Sequence, residues 1–227
     1  MKCSKFFIVL CLLASFKISA LSQEVEVEII PYFDDKPISF EDEFVASYKG
    51  KPIIIDVLKF YISNIQLLED QKVVYIQPES FYLVDAGVSP SNTIKLNCPK
   101  QMRFNTIKFD LGIDSSTNVS GVFGGALDPT NGMYWTWQSG YINFKLEGKH
   151  ESTKIPSQEF QYHIGGYNGK SNSLQTIELQ VNNDAKISLA LDIAQILDQT
   201  DMSEINHIMS PGLQSVQFSK WLKSSFK

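Results

Sequence analysis

The chain carries three imidazoles, His150, His163 and His207. Imidazole binds transition metals and titrates near neutral pH. In Phe160-Gln161-Tyr162-His163-Ile164-Gly165-Gly166 the apolar residues Phe160, Tyr162 and Ile164 face one way, and His163 faces the other, just before a glycine turn. His207 precedes Ile208-Met209-Ser210-Pro211 on a segment with helical spacing. His150 follows Lys149 in a polar turn, where a surface position is expected. A lone histidine is usually structural, and two imidazoles alone are an incomplete site for most transition metals. His163 and His207 are the candidate ligands that the residues offer.

The second cluster runs from Leu127 to Tyr141 and contains Trp135 and Trp137. Two indoles two residues apart share one side of an extended strand. If the register runs unbroken to Leu146, that side is the wet one, opposite Ile142, Phe144 and Leu146; a bulge at Gly140 reverses it. Core packing and an aromatic functional surface are both open readings. The loop Asp128-Pro129-Thr130-Asn131-Gly132 reads first as a turn, with a calcium site near Asp128 as the alternative.

Other chemistry is missing. The chain has no GxSxG nucleophile elbow, no GxxxxGK[S/T] phosphate loop, no HExxH and no CxxC. Its carboxylates show no spacing that singles out a catalytic pair, so an enzyme is not expected. The formal charge is −5 and no Lys/Arg cluster stands out, so nucleic acid is not an expected partner.

The elements that must hold these residues read as β. Val25, Val27 and Ile29 alternate with Glu24, Glu26 and Glu28; Ile107, Phe109 and Leu111 with Thr106, Lys108 and Asp110; Ile142, Phe144 and Leu146 with Asn143, Lys145 and Glu147. The segments around Ile177–Val181 and Ile187–Leu191 follow the same rule. One dry and one wet face per strand fits antiparallel sheets packed face to face. The expected fold is mainly β: an antiparallel β-sandwich of about eight strands with short C-terminal helices. Those helices are expected over Asp201–Met209 and Ser215–Phe226, separated by Ser210-Pro211-Gly212.

Residues 1–22 read as a signal peptide: Lys2 and Lys5, an apolar run from Phe6 to Phe16, then small residues at Ser19, Ala20 and Ser22. The run is short for a bilayer span, and no transmembrane segment is expected in the mature chain. Residues 23–227 then form a single domain, exported to the periplasm or the cell surface. Positions 1–22 hold three Lys and no acidic residue, so the mature charge falls to −8. Cys3 and Cys11 leave with the leader, which removes any intramolecular disulfide. Cys98 shares a face with Ile94 and Leu96 and is read as a buried core thiol, with a metal thiolate as the alternative.

The block GMYWTWQSGYINFKLEG (Gly132 to Gly148), followed by FQYHIGG (Phe160 to Gly166), resembles the MbnP-like family of secreted copper-binding proteins, some of them associated with methanobactin operons. VLKFYISNIQLL (Val57 to Leu68), FYLVDA (Phe81 to Ala86), IKFDLGID (Ile107 to Asp114) and NHIMSP (Asn206 to Pro211) extend the resemblance along the mature chain. The resemblance implies a β-rich protein that binds one copper ion through imidazoles and a kynurenine. That kynurenine is made from tryptophan by a di-haem partner related to cytochrome c peroxidases and MauG. Indole nitrogen only donates, whereas the opened ring carries an aromatic amine able to bind a metal. Carried onto this chain, Trp135 is the first candidate for modification and Trp137 the second, with His163 and His207 as ligands. Some relatives have a histidine two residues after the modified tryptophan; counted from Trp135, that position here is Trp137.

Different function classes therefore compete. One is a non-enzymatic copper protein for capture, storage or delivery. Another is a substrate of a haem oxidase in which metal binding is secondary or absent. A third is a non-metal β-sandwich binding or scaffold module of the cell envelope.

Overall fold

The computed structural model describes residues 22–227 except 41, 42, 79, 89 and 139. The expected signal peptide lies outside the described residues, apart from Ser22 at its boundary. In chain order the strands are β1 (Ser22–Phe33), β2 (Lys36–Pro37), β3 (Phe44–Tyr48), β4 (Lys51–Glu69), β5 (Lys72–Ile76), β6 (Phe81–Asp85) and β7 (Thr93–Pro99). They continue with β8 (Thr106–Leu111), β9 (Tyr134–Trp135), β10 (Gly140–Lys149), β11 (Glu159–Gly165), β12 (Gln175–Gln180), β13 (Lys186–Asp192) and β14 (His207–Ile208). The helices are α1 (Ser115–Ser120), α2 (Ile193–Asp198) and α3 (Leu213–Ser224).

The alternating segments do form strands, and two sheets enclose one core. Among the described residues, a four-stranded sheet centres on β1, and a ten-stranded sheet has β12-β8-β4-β10-β11-β14 as its main path. The inward residues Val25, Val27 and Ile29 of β1 and Ile187, Leu189 and Leu191 of β13 belong to the same cluster as Phe60, Phe109, Phe144 and Tyr162 of the larger sheet. Each such side chain, fully buried, contributes roughly 1.5–3 kcal/mol of transfer free energy. α3 closes the core: Phe218 lies 5.0 Å from the Tyr162 ring and 6.1 Å from that of Phe144. No helix among the described residues is long and apolar enough to cross a membrane.

The sandwich is less regular than the pattern suggests. Short strands such as β2, β9 and β14 raise the strand number above eight among the described residues. Among the described residues two pairings are parallel, β1 with β13 and β11 with β14. The 19-residue β4 is the spine of the large sheet, pairing with β3, β5, β6, β8 and β10.

One of the two expected helices is corrected. α3 forms, but Asp201–Met209 is a turn followed by β14. The Asp201 carboxylate accepts from Ser203 N at 3.0 Å and Ser203 Oγ at 2.7 Å, a local turn that competes with helix. Carbonyls that would continue the helix are taken by β11: Asn206 O accepts from Gln161 N and Ile205 O from the Tyr162 hydroxyl. A helix forms instead at α2, where the Asp192 side chain caps Gln195 N and Ile193, Ile196 and Leu197 are buried. Their apolar run directly continues the alternation of β13, which hides the change of period.

Cys98 is a free, fully buried core thiol, as its face predicts. Burial pushes its pKa up to about 11, which suppresses the reactive thiolate. Iodoacetamide at pH 8 is therefore expected to leave the native protein unlabelled and to alkylate Cys98 only in denaturant; stoichiometric native labelling, read by mass spectrometry, would contradict the burial.

Candidate metal centre

β11 positions the candidate site. Phe160, Tyr162 and Ile164 are buried in the main core, so Glu159, Gln161, His163 and Gly165 line the outward face of the large sheet. In the antiparallel pairing with β10, Lys145 lies opposite His163 and Glu147 opposite Gln161. In the parallel pairing with β14, His207 lies beside Gln161. Paired residues project from the same face, so His163 and His207 share the outward face, with Cα atoms about 8 Å apart by strand geometry.

His207 is thus on a strand, not a helix, and it is exposed. Its Nδ1 lies 2.6 Å from Asn206 Oδ1. His163 is 7% exposed, and its Nε2 lies 2.6 Å from Glu147 Oε1. Lys145 Nζ approaches the same carboxylate oxygen at 3.3 Å. Burial pushes the His163 pKa down, outweighing the hydrogen bond to Glu147 that raises it; Lys145 lowers it further. Glu147 sits below the ordinary carboxylate value: burial raises it, but His163 and Lys145 together pull it lower. At neutral pH the pair is a neutral imidazole beside an ionised carboxylate.

The tryptophans part company. β9 folds back on β10 as a hairpin, with Trp135 opposite Gly140 and Tyr134 opposite Tyr141. The register therefore does not run unbroken from Trp135 to Leu146. Trp135 is 5% exposed in a second apolar cluster with Tyr61, Ile113, Leu127, Met133, Tyr141 and Ile142. This cluster covers the outward face of the sheet. The β10–β11 register shifts between Ile142 and Phe144, which turns Ile142 into the second cluster while Phe144 stays in the first. Trp137 is 65% exposed, with its ring 6.1 Å from that of Trp135.

The benzo edge of Trp135 lies over Gly165. A Cβ there would stand 2.6 Å from Trp135 Cζ3 and 2.6 Å from Tyr141 O. Only glycine admits so close an approach. Trp135 thus packs along the same face of β11 as His163, one outward position further on. Its Nε1 is buried and has no hydrogen-bond partner, an uncommon state for an indole N–H.

His150 is a correction. It is buried rather than on the surface, with Nε2 3.0 Å from Tyr48 O and Nδ1 accepting from Ser152 N at 3.2 Å. Nδ1 caps the local turn while Nε2 reaches the β3 backbone, and the ring packs edge-on against Tyr48. The Asp128 loop behaves as a turn: Oδ1 takes Thr130 N at 2.8 Å and Thr130 Oγ1 at 2.7 Å. Among the described residues, no three His, Cys, Asp or Glu side chains gather as a metal-holding group.

The sequence reading overlooked Glu147 and Lys145, seeing them only as the wet face of a strand. Their i, i+2 spacing on the strand before the His163 strand was the available signal, but it cannot specify the pairing register.

A family model described as MbnP matches residues 22–210. The chain belongs to the MbnP family. Among solved structures, MbnP from Methylosinus trichosporium matches with a TM-score of 0.61 at 13% identity, covering 85% of this chain and 83% of that one. At that identity the likeness is one of fold, and it agrees with the β-rich MbnP architecture described above. Comparison with curated proteins gave no match.

Two outcomes test this geometry. Gly165→Ala should destabilise the protein by roughly 1–3 kcal/mol and red-shift tryptophan emission. Gly124→Ala, where a Cβ meets nothing within 4 Å, should do neither. The second concerns pH. His163 has a folded-state pKa below its ordinary value of 6.5, so the unfolded chain binds more protons just below that pH. Stability from this group is present above 6.5 and falls as pH drops through the folded value. Denaturant midpoints from pH 7.5 to 5 should show this slope, and His163→Gln should flatten it.

Proposed function

We propose that the chain is an exported copper-binding protein that captures, stores or delivers copper. His163 and His207 serve as imidazole ligands, and Trp135 supplies a third nitrogen after oxidation to kynurenine by a di-haem peroxidase-like partner. Trp137 is the second candidate for that oxidation. Membership of the MbnP family supports this reading, as does the placement of both imidazoles on one sheet face.

The observation that carries it is the unpartnered Nε1 of Trp135 on the face that bears His163. As an indole it is a donor only and binds no metal. Oxidative cleavage of the pyrrole C2–C3 bond by the partner, with peroxide as the oxidant reduced to water, followed by hydrolytic loss of C2 as formate, would leave an aromatic amine with a lone pair. Imidazole and amine nitrogens suit copper, which heads the divalent affinity order. Before that change the chain offers two imidazoles, an incomplete set for most transition metals.

A second reading, a non-metal β-sandwich module of the cell envelope, draws on one observation: the Nε2 of His163 is already engaged by Glu147. The two readings separate in one experiment. Protein co-expressed with a di-haem peroxidase-like enzyme should show an intact mass shifted by tryptophan-to-kynurenine conversion, mapped by peptide sequencing to Trp135 or Trp137. It should hold about one copper per chain at pH 7 by elemental analysis. His163→Ala and His207→Ala should each abolish stoichiometric loading. Full copper affinity in both variants would overturn the ligand assignment, and no copper uptake by the wild type would favour the non-metal module.

A further inference from the structure

We propose that Glu147 is a positioning residue that locks His163 in the Nε2–H tautomer, leaving Nδ1 as the nitrogen offered to a metal. The tautomer follows from geometry alone; its use in ligation rests on the copper reading above.

The Nε2 of His163 and Oε1 of Glu147 are 2.6 Å apart. An ionised carboxylate accepts and never donates, so the proton between them belongs to Nε2. In a neutral imidazole the lone pair then sits on Nδ1. A histidine facing a carboxylate alone tends to be drawn towards imidazolium, in which both nitrogens are protonated and neither binds a metal. Lys145 opposes this. It lies opposite His163 in the β10–β11 register, and its ammonium is 3.3 Å from the same Glu147 oxygen. The carboxylate thus holds the imidazole through Nε2 while sharing its charge with Lys145.

The second imidazole has the opposite arrangement. His207 Nδ1 faces Asn206 Oδ1 at 2.6 Å, so its proton sits on Nδ1 and its lone pair on Nε2. The two rings offer different nitrogens, each set by a polar neighbour. Outer partners of this kind orient ligating histidines and raise their basicity. Glu147 is two residues from Lys145 on β10, and their spacing supplies the carboxylate and its counter-charge together. Asp85 and Lys59 form a separate ion pair at 2.8 Å on the neighbouring strands, so Lys145 is left to Glu147.

With protein co-expressed with a di-haem peroxidase-like enzyme and shown by intact mass to contain kynurenine, two-bond proton–nitrogen correlation spectra of the copper-free form read the tautomer directly, and copper titration by competition with a chelator reads affinity. Wild type should show His163 as the Nε2–H form. Glu147→Ala should give a mixture of tautomers and weaken copper by ~10–100-fold. Glu147→Gln, which keeps a carbonyl acceptor, should retain the Nε2–H form and recover most of the affinity. A merely structural role would move the melting temperature and leave the tautomer alone. An Nδ1–H form in wild type, or an unchanged tautomer and affinity in Glu147→Ala, overturns the proposal. If wild type keeps the Nε2–H form but takes up no copper, the copper reading and the ligand-positioning role fall together. If copper binds equally well to wild type and Glu147→Ala, only the positioning role falls.

Discussion

Strand β11 has both faces committed, and the rest of the site depends on that constraint. Its inward residues Phe160, Tyr162 and Ile164 are fully buried between the sheets. A slip of one residue would put them in solvent and drive His163 into the core, an exchange costing several kcal/mol by apolar transfer alone. The register is therefore held firmly, and with it the outward row of Gln161, His163 and Gly165. Every candidate functional group is placed by reference to that row. Lys145 and Glu147 meet it from β10, His207 from β14, and Trp135 from above Gly165.

The outward face would ordinarily be wet. Here it is divided. Towards the Gly165 end, the segment from α1 to β9 folds over the sheet and builds a small second core around Tyr61, Tyr141 and Trp135. Towards the β14 side, the face stays polar, with His207 exposed. His163 sits at the boundary, dry enough for a depressed pKa yet within reach of two charged side chains. That boundary position explains why it differs from His150, which is as buried but has both nitrogens engaged by backbone. The Trp135 indole N–H is buried in the second core without a partner. The Tyr61 and Tyr141 hydroxyls already bond Ala126 O and Leu127 O.

Much of this was legible in the residues. Period-two alternation marked β1, β8, β10, β12 and β13 because each has one face in a common core. The opposition of His163 to Phe160, Tyr162 and Ile164 followed from the same rule. The buried state of Cys98 did too. The run GMYWTWQSGY also marked the family, and the family model agrees over residues 22–210.

What alternation could not convey was who pairs with whom. The helical spacing of Met202, Ile205, Ile208 and Met209 is real, yet the carbonyls of Ile205 and Asn206 bond to β11, and backbone partners distant in sequence outweigh a local period. The hairpin that separates Trp135 from Trp137 depends on the β9–β10 pairing, so two indoles of like spacing end with opposite exposure. His150, read from its polar neighbours as a surface residue, is buried because Tyr48 and its carbonyl approach from β3, about a hundred residues away in the chain. Side-chain type and facing are local properties that the linear order of residues dictates. Register, strand neighbours and the meeting of Glu147 with His163 arise from long-range burial, which no local pattern encodes.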